Sequence, residues 1–515
     1  MARYKRYDYA QTMMVAVSLD EQLVPGSLEH TIHYVVEKRL DLRGFDQQRR
    51  NDETGRPGYD PRVLLKVVLL GYARGLLSSR KLEAVCQSNI IFMALTCGQR
   101  PDHSTIAEFV SGMGEERIGA LFSQVLLVCA QEGLLGGTHF ALDGYKLSSN
   151  AAKESSGTHA DLRKKQQKLQ QLVRESLRTH QRNDREPADA PPPAAPAARV
   201  ARLERQAARI ERFLQENAPR VGRMGKEVQS NVTDNESAKM RSSHGIIQGY
   251  NANAMVDARH QVIVHAQAFG EGDDGAVAAP MLAGAQTHLA AAGCGASALA
   301  AKVVSADTGY FSTRNLEAFA GAKVDAYVPD PKFRQRDPRF GDARRHRRPT
   351  DKRKQQYKSK RRWFGPQDFK YDPSSQRLIC PAGQRLYGTG REVSNAQGYR
   401  VSHYKAAKSA CLTCALRLRC LQHPDSGQPR QVRLFHGRVT ETLTSRMKAK
   451  IDTPAGRALY SRRLAIVEPV FGHIAAHKGM NRSTLRGTVK VNIQWKLYCL
   501  VHNLEKIARF SPAKN

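Results

Sequence analysis

Apolar positions recur at helical spacing through the first part of the chain. The stretch that begins at Pro61 (PRVLLKVVLLGYARGLLSSRKLEAVC) places leucine and valine residues three or four positions apart, which predicts an amphipathic helix. In PDHSTIAEF, Asp102 or Ser104 can cap the start of another helix. Short helices with small and basic residues suit a DNA-docking unit of the helix-turn-helix kind, and they suit a plain helical packing domain equally well. We predict a helical domain over residues 1–135 and assign it DNA binding.

The pattern changes to strand-like runs after this domain. THFALDGYKL predicts a short strand that ends at Asp143, and AKVVSADTGYF predicts an apolar strand that runs into Asp307. Between them, GYNANAMVDARHQVIVHAQAF predicts two strands around a turn, followed by an alanine-rich helix over residues 278–300. This order of strands and helices predicts an α/β fold with a mixed sheet, built from residues 136–157 and 230–330.

Two inserts and a helical end complete the predicted organisation. Residues 158–229 hold two charged helical stretches around the linker EPADAPPPAAPA, whose prolines cannot all lie within a helix. We predict a helical hairpin there, which is either a solvated arm or a carrier of phosphate-contacting Lys and Arg. Residues 331–440 form a basic insert that contains cysteines, and residues 441–515 are predicted to be helical.

The charge of the chain points to a polyanionic partner. The sequence has 81 Lys and Arg against 48 Asp and Glu, which gives a net charge of +33. Such an excess repels itself unless a polyanion neutralises it, and nucleic acid is the usual one; a ribosomal or membrane-surface protein is the alternative. No stretch is apolar enough to span a membrane, and no signal peptide is evident. The odd number of scattered cysteines favours a reducing cytoplasm.

Positive charge is densest between Pro331 and Trp363. Fifteen Lys and Arg stand there against three Asp, with aromatic residues between them. This mixture suits a surface that follows phosphates and stacks bases, although a solvated, disordered loop has the same composition. The candidate DNA-binding residues are Arg344, Arg345, Arg347, Arg348, Lys352, Arg353, Lys354, Lys358, Lys360, Arg361 and Arg362.

Three acidic residues are candidates for catalysis. Asp143 and Asp307 each follow a strand-like run and precede turn residues, where a single Asp is most often a simple turn former. Together they suggest more, because carboxylates at the ends of neighbouring strands converge and can share Mg²⁺. Glu468, in YSRRLAIVEPVFGHI, is the candidate third acid. Its apolar neighbours suggest a buried carboxylate, whose charge either a metal ion or Arg463 would compensate.

Several motifs occur together in one order along nearly the whole chain. They are PDHSTIAEF, ALDGYKLSSNAAKE, NVTDNESAKM, GYNANAMVD, SADTGYF, VEPVFG and LRGTVKVNIQWKLYCLVHNLEKI. In this combination the chain resembles the DDE transposases of bacterial insertion sequences, in the branch typified by insertion sequence 1182. The resemblance implies an RNase H-like catalytic core in which Asp143, Asp307 and Glu468 bind Mg²⁺ or Mn²⁺, with two ions per active site. It also implies that Tyr460 and Arg463 support these acids.

The same resemblance implies a reaction and its partners. The enzyme would bind the terminal inverted repeats of its element, hydrolyse DNA there, and join the freed 3′-hydroxyl to target DNA. We expect a homodimer or higher oligomer on DNA in the bacterial cytoplasm. The alternatives are a host nuclease on the same core and a non-catalytic DNA-binding protein derived from a transposase. The family often has a lysine seven residues after the glutamate, where this chain has Ala475, so Lys478 or His473 would have to replace it.

Four cysteines form a second candidate metal site. Cys380, Cys411, Cys414 and Cys420 include one C-x2-C pair and could bind a structural Zn²⁺ tetrahedrally. The spacing departs from two paired knuckles, so reduced, buried cysteines are the alternative. The remaining cysteines are predicted to be core residues. They are Cys86, Cys97, Cys129, Cys294 and Cys499.

Overall fold

The computed structural model describes most of the chain in two compact units. The described residues are 16–48, 57–183, 195–222, 225–242, 245–340, 363–394, 399–438 and 442–511. The first unit comprises Met1–Tyr310, Ala318–Ala326 and Ser461–Asn515, and the second comprises Phe311–Glu317 and Tyr327–Tyr460. Among the described residues, no helix combines the length and the apolarity needed to cross a membrane.

The elements alternate between helices and strands after an all-helical beginning. The α-helices are α1 Leu28–Tyr34, α2 Pro61–Ala73, α3 Ser79–Ser88, α4 Ile90–Leu95, α5 His103–Ser111, α6 Glu115–Gln131, α7 His159–Asn183, α8 Ala195–Glu216, α9 Ala278–Leu289, α10 Thr313–Gly321, α11 Lys408–Leu412, α12 Arg417–Cys420, α13 Leu443–Asp452, α14 Pro454–Gly472 and α15 Thr488–Phe510. The strands are β1 His139–Ser148, β2 Ser156–Gly157, β3 Ser230–Asn231, β4 Ala238–Ser242, β5 Gly245–Asp257, β6 Ile263–Phe269, β7 Val303–Ala306, β8 Asp325–Tyr327, β9 Lys370–Asp372, β10 Arg377–Ile379, β11 Arg385–Ser394, β12 Tyr399–Ala406 and β13 Gln431–Arg438.

A mixed six-stranded sheet forms the centre of the first unit, as the sequence predicted. Its order is β4-β5-β1-β7-β8, and β6 also pairs with β5. Strand β1 runs antiparallel to β5 and parallel to β7. Strand β5 is buried from Gln248 to Asp257, as expected for a strand covered on both faces. This mixed sheet with flanking helices is the arrangement expected of an RNase H-like core.

Strand β1 is longer than the sequence suggested. We expected it to end at Asp143, but it continues to Ser148 because β5 pairs with it over the whole length. Its parallel pairing with β7 is shorter and stops where Leu142 lies opposite Ala306. The ladder to β7 therefore ends immediately before Asp143, although the strand does not.

The last helix, α15, covers the free edge of β6. The side chain of Asn503 accepts from the backbone N–H of Ile263 and donates to its carbonyl, both at 2.8 Å. Asn492 makes the same two contacts with Ala268. An open strand edge invites pairing with other chains, and these amides satisfy part of that edge within the unit. Helix α2 packs on α15 as well, and the rings of Tyr72 and Tyr498 stack 4.6 Å apart.

The predicted hairpin segment contains two packed helices. Helices α7 and α8 contact each other along their length, and their shared core includes Leu162, Ile210 and Phe213. The linker between them lies outside the described residues.

The second unit contains a sheet that the sequence did not reveal. Five antiparallel strands follow the order β13-β12-β11-β10-β9. Leu378, Leu386 and Val432 are among the residues of its small buried core. The strands are short or irregular, with register shifts in two of the pairings, which explains why no clean alternation marks them.

Candidate active site

Two aspartates come together because two strands are parallel and in register. The last paired residues of β1 and β7 are Leu142 and Ala306, so Asp143 and Asp307 are the next residues along the two neighbouring segments. Each carboxylate is held by the turn or strand that follows it. Asp143 Oδ1 accepts from the N–H of Gly144 at 2.8 Å, and Asp307 Oδ1 accepts from the N–H of Gly309 at 2.9 Å. The first two candidate acids thus share one edge of the ladder.

Arg463 contributes a cation to this edge. It lies on α14, is 7% exposed, and donates from Nη1 to Asp143 Oδ2 at 2.6 Å. The contact fixes the orientation of the Asp143 carboxylate, because both of its oxygens are now engaged. The sequence predicts Arg463 beside the acids, and the structure brings it to Asp143.

A third aspartate, which the sequence reasoning missed, lies at the same place. Asp274 sits in the loop between β6 and α9, in the run GEGDDG. A Cβ added to Gly309 would stand 2.8 Å from Asp274 Oδ2 and 3.1 Å from Asp307 Oδ1, so these two oxygens are at most about 6 Å apart. The only hint in the sequence was a pair of acids in a glycine-rich loop, and loops of that kind are common on surfaces.

Polar residues of the sheet hold Asp274. Asn251 Nδ2 donates to Asp274 Oδ1 at 2.5 Å, and Lys146 Nζ lies 3.5 Å from the same oxygen. Lys146 also donates to Asn251 Oδ1 at 2.8 Å, since the two residues are opposite each other on β1 and β5. The loop carboxylate is therefore fixed by a network that belongs to the sheet.

Burial and mutual repulsion raise the pKa of two of these acids, Asp143 and Asp307. Burial raises the pKa of Asp143, Arg463 opposes this shift, and Asp274 adds to it. Burial also raises the pKa of Asp307, and the negative charges of Asp143 and Asp274 raise it further. Three carboxylates against the guanidinium of Arg463 leave an excess of negative charge from hard oxygen atoms. Mg²⁺ prefers ligands of this kind, although among the described residues the oxygens of Asp143, Asp274 and Asp307 do not all lie within 4.8 Å of one another.

Glu468 is placed differently from the expectation. The sequence suggested a buried carboxylate, but Glu468 is exposed on α14. It follows Arg463 by five residues, which is a rotation of about 140° around a helix, so the two side chains leave on different faces. Within the described part of the chain, Glu468 does not form a group with Asp143 and Asp307 in which the ligand oxygens all lie within 4.8 Å. Its role as the third acid stays a prediction.

Tyr460 belongs to the second unit and contacts Phe333 of the same unit. Its ring packs edge-on against Phe333, with ring centres 5.4 Å apart. Its assignment as a supporting residue stays a prediction.

Lys478, one of the two residues expected to replace the family lysine, is buried. Lys478 is 0% exposed, and its Nζ lies 2.7 Å from both Glu505 Oε2 and His473 Nδ1. This buried pair contradicts a DNA contact by Lys478.

His473, His502 and Glu505 form the one group of potential metal ligands within 4.8 Å among the described residues, but the Lys478 ammonium already contacts two of them. This cluster is a buried ion pair.

The cysteines divide into two sets. Cys380, Cys411, Cys414 and Cys420 are all half-buried and line one cavity in the second unit. Of the five predicted core cysteines, Cys97 and Cys294 are exposed, so that prediction is wrong for these two. Cys97 lies in the turn after α4, and Cys294 ends the π-helical segment Ala290–Cys294 that follows α9.

The candidate DNA-binding run lies outside the described residues. This applies to all eleven positions, which fall between residues 344 and 362. Their assignment to DNA binding stays a prediction.

Comparisons with known families find transposase domains in two parts of the chain. A family described as "Transposase DDE domain" matches residues 379–508, and one described as "Transposase domain (DUF772)" matches residues 17–112. Together the two matches support a DDE transposase of the insertion-sequence type. Glu468 falls inside the first match, whereas Asp143 and Asp307 lie outside both. No curated protein matches the chain. The narrower branch, insertion sequence 1182, stays a prediction.

Proposed function

We propose that this transposase cuts DNA at the ends of its element and joins the freed 3′-hydroxyl to target DNA. The observation that carries the proposal is the parallel register that sets Asp143 beside Asp307, with Arg463 on one of them, in a chain with transposase domains. Hydrolysis and strand joining are both in-line phosphoryl transfers, so one site serves both steps. The charge of +33 provides for binding of the DNA backbone.

The residues of the site fit Mg²⁺ or Mn²⁺. Asp143 and Asp307 would hold the ions, and Asp274 would add a third carboxylate from the loop. When bound, a pair of such ions activates the attacking oxygen and stabilises the leaving one. Arg463 engages one oxygen of Asp143, and Asn251 engages one oxygen of Asp274, so both carboxylates have fixed directions. This order is prepared before substrate arrives, which is what positioning for phosphoryl transfer requires.

The decisive experiment uses DNA that carries the ends of the element. Wild-type protein should cut this DNA and join it to a target in Mg²⁺. Asp143→Asn and Asp307→Asn should each abolish both steps and leave DNA affinity unchanged, because affinity comes from Lys and Arg contacts with phosphates. Asp273→Asn is the matched control, since Asp273 is exposed in the same loop as Asp274. Cutting without joining would favour a host nuclease. Binding without cutting would favour a non-catalytic DNA-binding protein.

Glu468 requires its own test. We keep it as the third catalytic acid on the resemblance to DDE transposases, and Glu468→Gln preserves its shape while removing its charge. The expected protein is folded, binds DNA and does not cut it. Since Glu468 is exposed, little stability should be lost. Full cutting activity in this variant would remove Glu468 from the site and leave Asp274 as the third carboxylate.

A further inference from the structure

The four half-buried cysteines of the second unit come from separate segments. Cys380 directly follows β10, Cys411 lies in α11, and Cys420 ends α12. Cys414 lies between the two helices. All four line one cavity, which Phe364 and Leu386 also line. The fold thus brings four cysteines from separate segments to the lining of one cavity, which is the first requirement of a metal site.

The turn at Cys380 directs a backbone N–H at its sulfur. The N–H of Cys380 donates to the carbonyl of Gln384 at 2.9 Å, and the N–H of Gly383 donates to the carbonyl of Cys380 at 2.8 Å. This turn aims the N–H of Gln384 at Cys380 Sγ, 3.3 Å away. Gly383 has a φ of +77°, which is costly for any residue with a Cβ. A backbone N–H directed at sulfur stabilises the thiolate, which is the form that binds metal.

Two arginines place positive charge around the cavity. Arg417 Nη1 donates to the carbonyl of Cys411 at 2.9 Å, and Arg430 Nη1 donates to the carbonyl of Cys420 at 3.0 Å. Arg430 also donates to the carbonyl of Phe364 at 2.7 Å. Four thiolates around one Zn²⁺ carry a net charge of −2, which two guanidinium groups offset. The same contacts tie together the segments that carry the sulfurs.

We propose that Cys380, Cys411, Cys414 and Cys420 bind one Zn²⁺ with a structural role. Soft thiolate ligands select zinc over the hard cations that suit the carboxylate site, and four protein ligands leave no open position for chemistry. Within the described residues, no three of these sulfurs lie within 4.8 Å of one another. Zinc–sulfur bonds of about 2.3 Å would therefore draw the segments inward. This zinc site is independent of the proposed DNA reaction.

The test measures zinc in the full-length protein. Elemental analysis of protein purified under reducing conditions should find about one zinc per chain. Cys411→Ser and Cys414→Ser should lose that zinc, whereas Cys294→Ser, at an exposed cysteine of the first unit, should retain it. Because a serine variant can fail to fold, wild-type protein should also be stripped with a chelator and reloaded with Co²⁺. Tetrahedral thiolate ligation then gives strong sulfur-to-cobalt absorption. Wild-type protein without zinc, or without that absorption after cobalt loading, would overturn the proposal whether or not the protein cuts DNA.

Discussion

Replacing Asp274 with Asn should make the folded protein more stable and should weaken its binding of Mg²⁺. The oxygens of Asp274 and Asp307 are at most about 6 Å apart, and two like charges at that distance repel by about 3 kcal/mol at an effective dielectric constant of about 20. Asn keeps an acceptor for Asn251 but loses the attraction of Lys146, which lies 3.5 Å away and offsets part of the gain. We expect a net gain of about 1–2 kcal/mol in the free energy of unfolding without divalent ions.

Magnesium should reverse this advantage. The missing charge should weaken Mg²⁺ binding at least tenfold, which corresponds to about 1.4 kcal/mol. Thermal unfolding followed across a Mg²⁺ titration measures both effects, and a DNA-cutting assay on the same samples measures activity. Asp273→Asn, at the residue before Asp274 in the loop, should change neither the unfolding behaviour nor the DNA-cutting activity. If Asp274→Asn were destabilised with and without Mg²⁺, and still bound the ion and cut DNA normally, the three-carboxylate arrangement would be refuted while the roles of Asp143 and Asp307 would stand.

Three further predictions follow from the same geometry and charge. Gly309→Ala places a methyl group within about 3 Å of two carboxylates and should reduce cutting and Mg²⁺ affinity, whereas Gly119→Ala meets nothing within 4 Å and should be neutral. Because the pKa of Asp307 is raised in the folded protein, the Asp307 carboxyl loses its proton at a lower pH in the unfolded chain than in the folded one. The folded state therefore loses stability as pH rises from about 4. Asp307→Asn should therefore gain stability relative to wild type over that rise in urea unfolding without divalent ions; an unchanged difference would contradict the raised pKa. Neutralising the four arginines between residues 344 and 348 should make DNA binding less dependent on salt. The slope of the logarithm of the binding constant against the logarithm of the salt concentration should fall by up to ~0.9 for each phosphate that these side chains neutralise. An unchanged slope would exclude that segment from the interface.

The sequence predicted that Asp143 and Asp307 lie side by side, and in the structure they directly follow the last paired residues of β1 and β7. Apolar runs that lead into Asp143 and Asp307 predict buried strands, and parallel neighbours end at a common edge. The length of β1 did not follow, because it depends on pairing with β5, whose residues lie about a hundred positions later. Local patterns contain no information about such a partner.

Asp274 shows a different limit of sequence reasoning. It stands in an irregular loop, so no periodicity marks it, and its place in the site depends on contacts with Lys146 and Asn251 of the sheet. Glu468 shows the opposite case, since apolar neighbours along the sequence suggested burial. On a helix those neighbours face the core while the carboxylate faces solvent.

The ion pair between Asp143 and Arg463 can form only late in the synthesis of the chain. The two residues are 320 positions apart, and a ribosome that adds about 5–20 residues per second needs roughly 15 to 60 s to reach the second after making the first. During that interval Asp143 lacks the guanidinium of Arg463. A nascent chain therefore carries its N-terminal helices well before it carries all the residues of the candidate site.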